Sequence, residues 1–360
     1  MEIRNPDYIV LQDAAEPPDR LPYGVRMIGS QLEAHETTGE GIRVAILDTG
    51  APQHPDIKLA GMYDATGGSQ PYDRRGHGTH VAGTIAANGK IVGVAPGVSL
   101  FAVKVFQDSG GTKPEWLISG LRWCRDNRID VVNMSLGGPQ AMGPAMETEL
   151  KACVAAGIII SCSAGNFGKD YGVLYPAQYP ECIAVAAVDI EKGHADWSAY
   201  GPQLDVAAAG VQVWSTWLGG RYTELNGTSM AAPHITGAVA ILQAKAIIRE
   251  GKKDSPEFMR LMLRRYAEDL GEPGPDHKYG CGVFSFGRFG VADRVPSRLL
   301  LEIGKTQYVK NGMAAQSDVA PEIKQGRTLV PLRLVAEGLG GKVDWFPPDG
   351  THKGKVAIEL

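Results

Sequence analysis

Between "GIRVAILDTG" and "CIAVAAV" the chain alternates short β-branched runs with helix-like stretches rich in small residues. The runs are "RVAILD", "SLFAVKVF", "IDVVNMSLGG", "IIISCSAGN" and "CIAVAAV", all too short for buried helices and nearly continuous in apolar character. Such alternation predicts β-α units around a mostly parallel sheet covered on both faces, an α/β fold. In sheets of this kind ligands and chemistry gather beyond the carboxyl ends of the strands.

Three polar residues stand where runs end or helices begin. Asp48 closes "RVAILD", His77 lies in "RRGHGTHVAGTIAA", and Ser229 lies in "NGTSMAAPH" at the head of a long apolar stretch. A serine hydroxyl is a weak nucleophile near neutral pH, so it needs an imidazole to take its proton and a carboxylate to hold that imidazole in one tautomer. Asp48, His77 and Ser229 supply these groups in the chain order Asp, His, Ser. Ser229 also suits a helix N-cap, and the expectation is that it serves as both cap and nucleophile.

"VAILDTG", "GHGTHVAGTIAA", "VGVAPGVSLFAVKVF", "VVNMSLGGP", "SAGN" and "NGTSMAAPH" follow one another in an order that resembles the subtilisin-like serine proteases, from about residue 21 to about 293. The entry "LPYGVRMI" is most similar to the intracellular branch of that family. The resemblance implies a three-layer subtilisin-like fold with an endopeptidase activity that passes through an acyl-enzyme. Ser229 would be the nucleophile, His77 the general base and then acid, and Asp48 its orienting carboxylate. Asn166 would act as oxyanion donor with the backbone N–H of Ser229. The contrasting class is a non-catalytic scaffold that keeps the protease fold for binding.

The same resemblance implies that an extended polypeptide substrate lies between Ser135-Leu136-Gly137 and the loop at Gly110 and Gly111, by strand addition. Phe167 stands where many relatives carry an acidic residue, and Leu174 where some have glycine at the base of the first specificity pocket, so a shallower, more apolar pocket is expected. No cofactor is needed for the chemistry. Family members hold structural Ca²⁺ with an aspartate matching Asp56, but "AANGKIVGVAP" is shorter than the ligand-bearing loop of many relatives and leaves few oxygens for a cage of six or more. A second cation site made of carbonyls near Ala177 and Tyr179 is the alternative.

Other readings explain less. "DTG" at Asp48 and "DSG" at Asp108 match an aspartic-protease motif, but their contexts differ and His77 and Ser229 stay unused. His77 and His80 lack a third metal ligand, and "GKT" at 304–306 has Leu299 where a phosphate loop needs glycine.

Lys+Arg 36 against Asp+Glu 40, without long runs of one sign, excludes nucleic acid as an expected partner. Apolar runs are too short to cross a bilayer. The start of the sequence lacks the features of a signal peptide, and five scattered cysteines read as reduced core thiols, so a cytoplasmic protein is expected, with an extracellular one as the alternative.

Residues 1–20, with Pro6, Pro17 and Pro18, read as an extended N-terminal arm that the resemblance casts as inhibitory. The protease-like domain is assigned to 21–296. The tail, 297–360, reads as a small α+β module, with strands at "LLLEIG", "TQYVKNG", "KVDWF" and "KVAIEL" and an amphipathic helix over "GRTLVPLRLVAEGLGG". It resembles the module named after the N-terminal domain of copper amine oxidases. His352 is the only histidine there, so copper is not implied. A partner or a second copy bound through this module is the expected use.

Overall fold

The computed structural model describes residues 3–4, 10–34 and 36–289, together with seven strands of the remaining chain. The chain divides into two compact units, Met1–Phe289 and Gly290–Leu360.

In the first unit the strands are β1 (Ile3–Arg4), β2 (Val10–Ala14), β3 (Arg43–Asp48), β4 (Leu59–Asp64), β5 (Ser99–Lys104), β6 (Gly111–Thr112), β7 (Val131–Met134), β8 (Ile159–Ser163), β9 (Cys182–Val188), β10 (Leu204–Ala209), β11 (Val213–Trp217), β12 (Arg221–Leu225), β13 (Ala267–Glu268) and β14 (Val283–Phe284). The α-helices are α1 (Tyr23–Ile28), α2 (His77–Ala86), α3 (Pro114–Asp126), α4 (Pro144–Ala155), α5 (Thr228–Glu250) and α6 (Pro256–Arg265). Nine strands form one sheet in the order β13-β14-β10-β9-β8-β7-β3-β5-β4, parallel throughout except for the β13–β14 pair.

All five expected runs are strands of this sheet, and each of β7, β8 and β9 is buried along its whole length. That pattern is what a sheet covered on both faces requires. Successive side chains point to opposite faces. Ala45 and Leu47 of β3, Val132 and Met134 of β7, and Ile160 and Cys162 of β8 share a core cluster with Leu117 and Leu121 of α3 and Met146 and Leu150 of α4. The alternate residues face α5: Thr236 Oγ1 donates to Asn133 Oδ1 at 2.9 Å and Ser161 Oγ to the Ala232 carbonyl at 3.2 Å. Asp48 has the same parity as Val44 and Ile46, opposite to Ala45 and Leu47, so it too leaves the sheet on the α2 and α5 side.

α5 is long and apolar enough to cross a membrane, and it is instead the central core helix, buried from Thr228 to Ala244. Pro233 falls in its second turn, where its missing N–H leaves the Ser229 carbonyl without its i+4 donor, and Ser135 Oγ donates to that carbonyl at 2.8 Å instead. Cys124, Cys153, Cys162 and Cys182 are buried free thiols, and burial pushes the first three above the ordinary thiol range.

The extended arm is β-structured where it is described. β1 pairs antiparallel with β6, and β2 pairs antiparallel with β12, completing a three-stranded sheet β11-β12-β2.

In the second unit the described segments are β15 (Leu299–Leu301), β16 (Gln307–Lys310), β17 (Met313–Gln316), β18 (Glu322–Lys324), β19 (Arg327–Leu329), β20 (Lys342–Phe346) and β21 (Lys355–Glu359). They pair as β15-β16-β17, β18-β19 and β20-β21, all antiparallel. The four expected strands are present. The expected helix is not helical at its start: Arg327–Leu329 pairs antiparallel with Glu322–Lys324, with Gln325 and Gly326 between them in the sequence. A glycine in a two-residue connection favours a hairpin over the first turn of a helix. The rest of that helix, 330–341, lies outside the described residues, as does His352.

Candidate active site

β3 and β7 are neighbours in parallel register, with Ile46 opposite Asn133. Two residues on, that register brings Asp48 beside Ser135, at strand ends about 4.8 Å apart. Each receives one of the two helices. His77, the first residue of α2, sets Nδ1 2.7 Å from Asp48 Oδ1, and both side chains are 0% exposed. On the neighbouring strand end, Ser135 Oγ donates to the Ser229 carbonyl at 2.8 Å, and the Ser229 hydroxyl donates to the Ser135 carbonyl at 3.3 Å. α2 and α5 also pack against each other. Three distant stretches of sequence thus meet over two adjacent strand ends.

Ser229 is not a helix cap. The N-cap is Gly227, at φ 156° and ψ 153°, and Ser229 is the second residue of the helix. Thr228 is the residue whose side chain works locally, accepting from the Gly165 N–H at 3.0 Å and donating to Asn166 Oδ1 at 2.8 Å. The Thr228 N–H also donates to Asn166 Oδ1, at 2.9 Å. Asn166 therefore turns its oxygen toward α5 and leaves its Nδ2 donors for the cleft.

The residues beneath His77 are ones that sequence reasoning missed. Gly76 is the N-cap of α2 and has no side chain to offer. Asp73, buried, takes over that duty from outside the helix: Oδ2 accepts from the Thr79 N–H at 2.8 Å and hydroxyl at 2.7 Å, and Oδ1 from the N–H groups of Arg75 and Gly76 at 2.9 Å. A carboxylate at a helix N-terminus satisfies orphan donors and matches the macrodipole. The Thr49 hydroxyl joins the elements that carry Asp48 and His77. It donates to Asp73 at 2.9 Å and accepts from the Gly78 N–H at 2.9 Å, while the Thr49 N–H donates to Asp48 Oδ1 at 2.7 Å. Lys104, a buried ammonium at the end of β5, donates to the Thr49 carbonyl at 2.7 Å and to Asp108 Oδ1 at 2.9 Å. The signal for Asp73 was present as an acid four residues before a histidine that opens a helix.

Two further histidines lie behind the site. His80 Nε2 is 3.0 Å from the Val213 carbonyl, and burial, with a smaller contribution from His77, pushes its pKa down to about 3. Burial likewise lowers His234 to about 4. Both rings are held by backbone carbonyls, His80 Nε2 also lying 3.2 Å from the Thr223 carbonyl and His234 Nδ1 2.8 Å from the Met230 carbonyl.

The expected substrate segments flank this centre. Gly110 and Gly111 lie at and beside β6, whose edge is paired with β1. Ser135, Leu136 and Gly137 follow β7. Leu174 is buried against them: a Cβ placed on Gly165 would meet its Cγ at 2.5 Å, and one on Gly137 would meet its Cβ at 3.2 Å. Phe167, 49% exposed, stacks edge-to-face with Tyr171.

At Asp56 the donor set does not fit a calcium cage. Its Oδ2 accepts from the Tyr222 hydroxyl at 2.8 Å and the Ile91 N–H at 3.0 Å, and Oδ1 lies 2.2 Å from where a Gly89 Cβ would be. Donors converge here where a cation would need oxygens. Among the described residues no three His, Cys, Asp or Glu side chains converge as a metal site.

An aspartate, a histidine and a serine over the strand ends of a parallel sheet define the class, a serine peptidase. Comparison with known proteins gives the particular family. The subtilase family, peptidase S8, matches residues 39–282, and the copper amine oxidase N-terminal domain matches residues 294–353. Subtilisin DY of Bacillus licheniformis is 43% identical over 234 residues, covering 62% of this chain and 85% of that protein. Subtilisin E of Bacillus subtilis (strain 168) is 43% identical over 235 residues, and there the chain spans only 61% of the relative's length. The thermostable alkaline protease of Halalkalibacterium halodurans is 39% identical over 274 residues, covering 74% of this chain and 73% of that protein. The chain belongs to the subtilase family.

Proposed function

We propose that the protein hydrolyses internal peptide bonds through an acyl-enzyme, with Ser229 as nucleophile. The observation that carries this reading is the buried 2.7 Å contact between His77 Nδ1 and Asp48 Oδ1, at a strand end next to that of Ser135, which hydrogen-bonds to Ser229 of α5. An imidazole whose Nδ1–H is engaged by a carboxylate presents Nε2 as the base. The Ser229 hydroxyl swings from the Ser135 carbonyl toward Nε2 and passes its proton there as Oγ bonds to the substrate carbonyl carbon. The oxygen that gains the negative charge is held by Asn166 Nδ2 and the Ser229 N–H. His77 then returns the proton to the leaving amine as the C–N bond breaks. Water, deprotonated by the same imidazole, releases the acid and restores Ser229.

The arm has a second role in this reading: it restrains the enzyme. β1 occupies the edge of β6, where a substrate would add as a strand. Segment pairing of this kind competes with substrate at the high effective concentration of a tethered chain.

The test is covalent labelling by a fluorophosphonate. Ser229 should be modified and Ser229→Ala should not. A protein that stays unlabelled in both forms would be a scaffold that keeps the fold without the chemistry.

A further inference from the structure

Lys104 carries a buried charge that the chemistry above does not use. It is the last residue of β5, opposite Asp48 of β3 and Asp64 of β4 in parallel register, and it is 4% exposed. A buried ammonium is costly unless oxygens replace its hydration, and an apolar side chain of similar volume often serves stability as well. The oxygens that surround this one come from three separate segments. Nζ donates to the Thr49 carbonyl at 2.7 Å and to Asp108 Oδ1 at 2.9 Å, and the Tyr72 carbonyl lies 3.4 Å away. Thr49 follows Asp48, Tyr72 precedes Asp73, and Asp108 belongs to the loop after β5. The Lys104 ammonium holds the Asp108 carboxyl below the usual carboxylate range, so its counter-charge persists through neutral pH.

The first two segments run side by side. Ala51 and Tyr72 form a parallel bridge, the Ala51 N–H donates to the Pro71 carbonyl at 2.6 Å, and the Asp73 N–H donates to the Ala51 carbonyl at 2.9 Å. Gly50 lets them approach, since a Cβ there would meet the Pro71 carbonyl oxygen at 2.6 Å and the Asp73 nitrogen at 2.7 Å. Lys104 closes this pairing from the sheet side.

The support of His77 is divided between these same two segments. The Thr49 N–H donates to Asp48 Oδ1 at 2.7 Å, the oxygen that His77 Nδ1 also meets at 2.7 Å. Asp73 accepts from the Gly76 N–H at 2.9 Å and the Thr79 N–H at 2.8 Å, and so holds the first turn of the helix that His77 opens. A slip of one segment past the other would move the imidazole against its carboxylate and against Ser229, which stands on a third element, α5.

We infer that Lys104 is a positioning residue for the reaction: its ammonium fixes the strand end that carries Asp48 to the segment that carries Asp73, and thereby sets where His77 stands against Ser229. This rests on the peptidase reading, and the experiment separates the two.

The full chain and its variants are compared for cleavage of a quenched peptide, for the rate of fluorophosphonate labelling and for unfolding in urea, with turnover expressed per labelled site. Lys104→Met fills the same space without donors. It should lower kcat by about tenfold to a hundredfold, as a displacement of about an ångström does, with KM within about twofold. The labelling rate should fall alongside kcat, because a small fluorophosphonate has no residues to pair with the Gly110 loop. Asp108→Asn removes the exposed anion and leaves both carbonyls, so it should give a smaller loss of the same kind, about twofold to fivefold. A Lys104→Met protein that unfolds in less urea but keeps its kcat has lost stability alone, and overturns the inference. A loss carried by KM with labelling unchanged also overturns it, since Lys104 would then act only on the substrate loop. If Lys104→Met does not fold, Asp108→Asn decides, and unchanged kcat and labelling in that variant are the adverse result. A parent chain that neither labels nor cleaves would instead remove the peptidase reading and this inference with it.

Discussion

Asn166 Oδ1 accepts two hydrogen bonds from Thr228, one from its N–H at 2.9 Å and one from its hydroxyl at 2.8 Å. A backbone N–H can only donate, so the amide oxygen faces α5 and Nδ2 is fixed as the donor toward the cleft. Asn166→Ala should lower kcat by about 10²–10³-fold with little change in KM, a size carried over from the equivalent asparagine of subtilisin, a relative. Thr228→Val keeps the N–H bond and loses the hydroxyl, so it should give a smaller loss of the same kind. Steady-state kinetics per titrated active site decides: a change confined to KM would mean that Asn166 binds substrate without stabilising the oxyanion.

Leu174 fills the space between Gly137 and Gly165, where the resemblance places the base of the first specificity pocket. Small residues should therefore be preferred there. Leu174→Gly should raise kcat/KM for a phenylalanine peptide by about tenfold or more relative to the alanine peptide. Unchanged discrimination in the variant would show that the floor of the pocket is made elsewhere.

His80 and His234, lowered to about 3 and about 4, are neutral in the folded protein near neutral pH. In the unfolded chain each returns to the ordinary value of 6.5. Below pH 6.5 the unfolded chain therefore binds protons that the folded one refuses, and stability falls on acidification down to about pH 4. The slope is at most about 1.4 kcal/mol per pH unit for each histidine, and above pH 6.5 neither contributes. Urea unfolding at pH 7.5, 6 and 5 measures this, and a flat profile across that range is the adverse result.

Tyr222 and Asp56 form a buried pair, 1% and 7% exposed, in the place that resemblance gave to calcium. Tyr222→Phe removes one donor from a carboxylate that stays buried, and should cost about 1–3 kcal/mol in denaturant unfolding. Calcium added in excess should restore none of it. Recovery of stability by calcium would reinstate a cation at Asp56.

The sheet was legible because burial on both faces forces continuous β-branched runs, a signal that survives without any structure. Asp48, His77 and Ser229 were legible as candidates because their residue types and order are set by chemistry, and strand ends are where "RVAILD" and its neighbours stop. The supports were not. Asp73 and Thr49 act through backbone N–H groups brought close by tertiary packing, and a sequence does not say whose amides a carboxylate will meet. Ser229 read as a cap because serine is a common one, yet the extended Gly227 precedes the helix and Thr228 takes the polar contacts. Arg327–Leu329 was assigned to a helix by its apolar spacing, and hairpin pairing with Glu322–Lys324 prevailed.

The arm occupies two strand edges at once. Ile3–Arg4 lies along Gly111–Thr112 in the cleft, and Val10–Ala14 lies along Arg221–Leu225, with Arg221 Nε 3.1 Å from Asp13 Oδ1. The first pairing is two residues long, on the edge where substrate is proposed to add, and the second, four paired residues with a register shift before Leu225, anchors the segment nearby. A short pairing held by a longer one is the arrangement that the restraint proposed above requires, since the short pairing can open and return while the long one stays. Removing residues 1–18 should raise kcat/KM toward a quenched peptide several-fold, whereas removing only residues 1–6 should do the same while leaving β2 in place. If the short deletion leaves activity unchanged and the long one lowers it, the arm is structural support for β12, and the cleft is open in the full chain.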